Sequence, residues 1–267
     1  MKPYSIYYTL ILLVFASACQ DDTDRIIQTS LPTEATQLFT ISRTLAESST
    51  LFTYSFRDFG VLDSTSLPGS PKIEIDSALR QVTLDYDQAY QTPEDPVNER
   101  RGSITISFVN VSTVPYRIVK YENYRLGDIQ LSGTRNFKQR SLSEFTESFD
   151  DLILISKNDL TYQISGEFSH AIERSAFRVQ SFSTLGSLTG RNAVGRRLNL
   201  TLSSPKIVSI DCFKSDQILP LAGTETWQVG RGENEQVGYT LTFENELDCK
   251  VIAFAQLPDG RRLQLTN

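Results

Sequence analysis

The sequence predicts a mainly β fold, an antiparallel β-sandwich or meander-type sheets with one N-terminal helix, on three observations. From Pro71 onward, short runs alternate apolar and polar residues with a period of two. Gly, Pro, Asn and Asp separate these runs at close spacing, and no helical stretch between them could carry a βαβ crossover. Ahead of them, one segment between Thr33 and Gly60 follows a helical period instead.

The chain opens with Lys2, an apolar run from Ile6 to Phe15 and the small residues Ala16, Ser17 and Ala18, the three parts of a secretory signal peptide. The apolar part is shorter than the roughly 20 residues of a membrane-spanning helix. With Cys19 directly after the small residues, residues 1–18 resemble a bacterial lipoprotein signal peptide and its lipobox, with Ala16 where Leu is usual. The resemblance implies that Cys19 becomes the mature N-terminus and carries acyl chains, two or more of which anchor stably where one does not. Asp21, Asp22 and Asp24 resemble the acidic surface-export tag of Bacteroidetes lipoproteins. That implies a lipid-anchored protein exposed on the outer membrane, joined to the membrane through its acyl chains.

Residues 19–32 read as a flexible acidic tether ending at Pro32. The helix is expected over residues 33–60, where Leu38, Ile41, Leu45, Phe52, Phe56 and Phe59 are spaced by three, four and seven, and Gly60 stops it. Its β-branched and aromatic content from Thr50 to Phe56 works against helix locally. Residues 61–267 form the all-β body. Its strands are read at KIEID, QVTLDY, GSITISFVNV, YRIVKYENYRL, IQLSGTRNF, LILISK, LTYQISGEFS, RRLNLTLSS, ETWQVG, GYTLTFEN, KVIAFAQL and RRLQL. IQLSGTRNF and LPLAGTETW share an apolar-x-Gly-Thr-x-x-aromatic pattern, with LTYQISGEF an outline of it. In each, the Gly would mark a bulge or close approach and the aromatic would pack inward. The echo allows two related meanders, about 61–140 and 141–267.

Removing residues 1–18 takes away Lys2 and no acid, so the net charge moves from −6 to −7, unfavourable for nucleic-acid phosphates. Once lipid occupies Cys19, Cys212 and Cys249 are the remaining two of three cysteines, and an oxidising compartment makes them a disulfide. No metal site is expected from two cysteines without a neighbouring His, and no cofactor motif is present.

Two blocks carry a wider resemblance. PKIEID, RRGSITISFVN and YRIVKYENYRLGDIQLSGTRNF resemble a recurrent region of a group of Bacteroidetes lipoproteins. IDCFKSDQILPLAGTETW and GYTLTFENELDCKVIAFAQLPDGRRLQL resemble the ending of the same group, with Asp259-Gly260 as the last hairpin turn. The group implies no activity, and the first block lacks the cysteine expected after its opening strand.

A His-dependent hydrolase or metalloenzyme has little to work with, because His170 is the one histidine and no Gly-x-Ser-x-Gly elbow occurs. At a strand end, His170 reads as a surface residue. A divergent carbohydrate-active enzyme using a carboxylate pair is the alternative, with Asp85, Asp87 and Glu122 as candidates. The favoured reading is a non-enzymatic envelope module that binds a glycan or a protein partner. Tyr86, Tyr90, Tyr116, Tyr121 and Tyr124 crowd one segment beside Arg100, Arg101 and Arg117, and exposed tyrosines there could stack on a ligand. Tyr86, Tyr90, Tyr121 and Tyr124 are the candidate binding aromatics. Alternation limits them, since Tyr121 and Tyr124 cannot both face the core of an unbroken strand.

Overall fold

The computed structural model describes residues 30–89, 98–111, 114–176, 178–232 and 234–265. Cys19, Asp21, Asp22, Asp24 and Tyr90 lie outside the described residues, as do the signal peptide and most of the expected tether.

Among the described residues, thirteen antiparallel strands form one sheet in which spatial order equals chain order. They are β1 Lys72–Asp76, β2 Gln81–Asp85, β3 Arg100–Val111, β4 Val114–Leu126, β5 Ile129–Gln139, β6 Glu144–Ser156 and β7 Thr161–Ser175. The sheet continues through β8 Arg178–Arg191, β9 Arg197–Ser209, β10 Ala222–Gly230, β11 Gln236–Leu247, β12 Lys250–Gln256 and β13 Arg262–Leu265. The architecture is therefore a meander. The β5–β6 turn, where two halves would meet, is an ordinary link in the same ladder.

The strand β8 has no counterpart among the expected runs. Its sequence, RVQSFSTLGSLTGR, alternates Ser, Thr and Gly with only a few large apolar residues, so its period of two is weak by hydrophobicity alone. Neighbours on both sides supply the hydrogen bonds that make it a strand.

The N-terminal helix, α1, spans Leu31–Glu47 and does not run to Gly60. Ser48, Ser49 and Thr50 follow it, and the Ser49 hydroxyl donates to the Ala46 carbonyl, the kind of local bond that competes with helix continuation. A 3-10 turn at Leu51–Thr53 and a short helix α2 at Phe56–Phe59, capped by Ser55 and Asp58, complete the segment. Residues 41–52 are all buried. The segment is hydrogen-bonded to side chains as far apart as Arg100 of β3 and Tyr239 of β11. A sheet that contacts one helical segment across so many strands must curl around it, and one continuous core results.

Glycines and bulges allow that curl. Register shifts fall at Gly102, Asn123, Gly133, Asp151, Gly186 and Gly223, and each of these six has positive φ. Bulges bend a strand and increase its twist. At Gly186 (φ 147°) an added Cβ would lie 2.3 Å from the Glu167 carbonyl, so this bend admits no side chain.

Cys212, in a short helix α3 (Ile210–Lys214), is disulfide-bonded to Cys249 in the β11–β12 turn, with Cα atoms 5.3 Å apart. Closing a loop of 37 residues' separation removes unfolded-state entropy. The variant Cys212→Ser/Cys249→Ser is expected to lose about 2 to 3 kcal/mol of unfolding free energy, read from urea unfolding midpoints.

Candidate binding surface

Polar residues of α1 and its C-terminal extension meet the inner face of the sheet in four buried clusters. Glu34 accepts from Arg231 Nη1 at 2.9 Å, with Tyr239 and Arg196 beside it. Ser42 donates to Glu225, which also accepts from Lys206 (2.8 Å) and Trp227 Nε1 (2.8 Å). Glu47 accepts from Arg100 Nε (2.6 Å) and Tyr124 (2.9 Å), and Arg100 reaches on to Asp216 (2.7 Å). Finally, Arg135 donates to Glu147 (2.6 Å), to the Leu45 carbonyl (2.9 Å) and to Ser48 (2.9 Å). His170 bridges Glu147 (3.0 Å) and Thr184 (2.9 Å).

These clusters correct several sequence expectations. Tyr86, Tyr121 and Tyr124 are buried at 6%, 4% and 0% exposure, so they do not present a binding surface. Tyr121 and Tyr124 do both face inward, because Asn123 (φ 52°) breaks the strand with a bulge between them. His170 is buried, not a surface residue. Arg100 and Arg117 are buried as well, while Arg101 stays outside with Glu99. Asp85 caps a turn through the amides of Asp87 and Gln88, Asp87 accepts from Gly102 N, and Glu122 pairs with Lys120 on the surface. Their bonds are those of turn and surface residues.

The glycine echo has a physical meaning. Gly133 and Gly223 sit at bulges, Arg135 and Glu225 two residues later are buried charges bonded to the helical segment, and Phe137 and Trp227 four residues later are core aromatics. Each bulge aims one strand's charge at α1 or its extension. In the third copy Gly166 lies against Phe149 and Leu188, and its buried polar residue is His170.

The electrostatics fix the charge states. Burial pushes the Glu147 carboxyl up, but the Arg135 charge and the His170 and Arg135 hydrogen bonds outweigh it and bring it to about 2. Burial also holds the His170 imidazole below its ordinary value, against the pull of Glu147. The neutral ring then donates from Nε2 to Glu147 and accepts at Nδ1 from Thr184. Both groups bind more protons unfolded than folded as the pH falls, so each contributes stability that acid removes. Wild-type stability is expected to fall first below about pH 6.5 through His170, and again from about 4.5 toward 2 through Glu147. His170→Gln should flatten the first window and keep the second, in urea midpoints measured against pH. A wild-type midpoint unchanged between neutral pH and about pH 5 would contradict this assignment.

The four clusters are internally paired, while Thr50 Oγ1, Tyr54 Oη and the Arg117 Nε and Nη1 are buried without a hydrogen-bond partner among the described residues. The cavity beside His170, Thr184 and Lys206 holds about 30 Å³, the space of a water or two.

The outer face is different. In the β7–β8 ladder, outward residues oppose each other as Gln163–Arg191, Ser165–Thr189, Glu167–Ser187, Ser169–Leu185 and Ala171–Ser183. Depressions of about 240, 390 and 280 Å³ follow this row. The first two share Arg140, Thr146, Ser169 and Leu185; the third lies farther along the same row, over Asp151, Gln163, Ser165, Thr189 and Arg191, and shares no lining residue with them. From Gln163 to Ala171 this trough-like row spans eight residue steps, about 27 Å. Its side wall carries Tyr116, Asn136 and Lys138. Tyr116 belonged to the tyrosine crowd, and its parity, opposite to buried Arg117, Val119 and Tyr121, was the sequence signal that it faces out. The residues of β8 carry no such signal, because Ser, Thr and Gly dominate the strand and its apolar alternation is weak. The chain matches no protein-family model, no curated protein and no solved structure.

Proposed function

We propose that this protein is a non-enzymatic cell-envelope lipoprotein, anchored through acyl chains on Cys19, that binds an extended glycan along the outer face of its sheet. The trough over β7 and β8 carries this reading. It offers small hydroxyl and amide groups in a row, Ser165, Ser169, Thr189 and Gln163 among them, with Tyr116 at its flank as a stacking face. A protein partner would be better served by a cluster of aromatic anchors, and the large apolar residues exposed among the described residues are scattered. The polar clusters around α1 keep the inner face occupied, leaving the outer face for recognition.

Binding is tested by calorimetric titration of the full chain with dextran, dextran sulfate, polygalacturonate and chitin oligomers. At least one should bind, and Tyr116→Ala should weaken it by about tenfold, the scale of one lost aromatic contact. No binding across the panel overturns the glycan reading. Anchoring and export are tested separately by protease shaving of intact cells carrying wild type, Cys19→Ala or Asp21→Ala/Asp22→Ala. Loss of signal in the wild type alone supports both, and protection in all three removes the surface claim.

A further inference from the structure

The trough ends on arginines. Arg191 and Arg197 are direct partners in the β8–β9 ladder, and both are exposed. Cβ atoms of facing residues lie about 4.5 to 5.5 Å apart, where like charges destabilise a sheet. Arg191 donates to the Gly195 carbonyl at 3.0 Å. Neither side chain forms an ion pair among the described residues. Both line the trough, and both also line a depression of about 320 Å³ beyond its end, together with Arg196 and Arg231.

The four arginines are not equivalent. Arg196 and Arg231 are engaged by Glu34. On the facing β10–β11 hairpin, the Glu235 carbonyl accepts from Arg231 N. Arg191 and Arg197 are thus the two guanidinium groups presented to solvent. Above them the backbone leaves space, since a Cβ added at Gly195 or Gly232 would meet nothing within 4 Å. Two exposed arginines at facing positions of one ladder, lining a depression whose carboxylate, Asp151, is engaged by Gln163 Nε2, fit one class of ligand, an oxyanion that can accept several N–H bonds at once.

We propose that this end of the trough is an anion subsite, in which Arg191 and Arg197 bind a sulfate, phosphate or carboxylate group carried by the glycan in the trough. The inference rests on the glycan reading and adds the class of glycan, an acidic one.

Dextran and dextran sulfate share a backbone and differ in charge, so they separate the two readings. Wild type should bind dextran sulfate at least tenfold more tightly than dextran at low salt. That advantage should vanish at about 1 M salt, where the screening length is about 3 Å. It should vanish equally in Arg191→Gln/Arg197→Gln, while Tyr116→Ala weakens both polymers alike. The ligand-free double variant should also melt about 1 to 2 °C higher, because a like-charge contact is gone. Polygalacturonate and inorganic phosphate, added as competitors, establish whether carboxylate and free phosphate share the site.

A preference for dextran sulfate that survives the double variant places anion binding elsewhere and overturns the proposal. Equal binding of the two polymers overturns it too and leaves the glycan reading standing. Binding of inorganic phosphate alone, with no polymer bound, retains an anion site and removes the glycan.

Discussion

Arg135→Met is expected to lower the unfolding free energy by about 3 to 5 kcal/mol, as happens when one partner of a buried ion pair is removed. Arg135 and Glu147 are exposed at only 2% each, and the guanidinium makes four contacts, to Glu147, Ser48, Tyr121 and the Leu45 carbonyl. Methionine fills part of the volume and strands Glu147 with His170 as its one remaining partner, so the buried carboxylate must either stay charged at high cost or take up a proton. The penalty belongs mostly to that stranded carboxylate, because the net worth of a buried pair is small. The double variant Arg135→Met/Glu147→Gln should therefore recover part of the loss, giving a favourable coupling energy in a double-mutant cycle. Urea unfolding at neutral pH supplies the free energies. Additive single effects would mean that Arg135 acts only through the helical segment.

The same residue shows what the sequence could and could not say. Its neighbourhood, Gly-Thr-Arg-Asn-Phe, stood out as a repeated pattern, and both the bulge at Gly133 and the inward Phe137 follow from it. The partner of Arg135 could not be read, because Glu147 lies in the part of β6 where EFTESFDD looks polar and strand-poor. Alternation counts apolar residues, so it fails wherever a sheet buries charge. The inner face here buries Arg100, Arg135, Glu147 and Glu225 because a helical segment carrying Ser42, Glu47 and Ser48 lies against it. The mainly antiparallel β class was legible from punctuation and period. The meander order was not, since hairpin-linked runs are equally compatible with two packed sheets. The trough was the least legible feature, because it is made of small polar side chains whose identities differ little from an ordinary solvated face.

Phe52→Ala is expected to cost about 3 to 5 kcal/mol, the range for emptying a buried phenylalanine site. Phe52 is 0% exposed and follows the end of α1 by five residues, in a segment that sequence periodicity placed within the helix. Its ring stacks on Phe137 at 5.1 Å and 12°, meets Phe182 edge-on at 5.1 Å, and lies 4.5 Å from His170. Those partners sit on β5, β7 and β8, whose ladders persist without Phe52, so the wall has little freedom to collapse into the space. A cavity that cannot close gives the upper part of the range. Both His170 nitrogens are occupied by Thr184 and Glu147, so the cavity would be lined by ring faces and stay apolar. An apolar cavity of that kind takes up benzene. Adding benzene should then raise the unfolding midpoint of Phe52→Ala and leave the wild type unchanged. A loss below about 1 kcal/mol, with no benzene effect, would mean that the residues after α1 rest loosely against the sheet and that the buried polar clusters alone hold the helical segment in place.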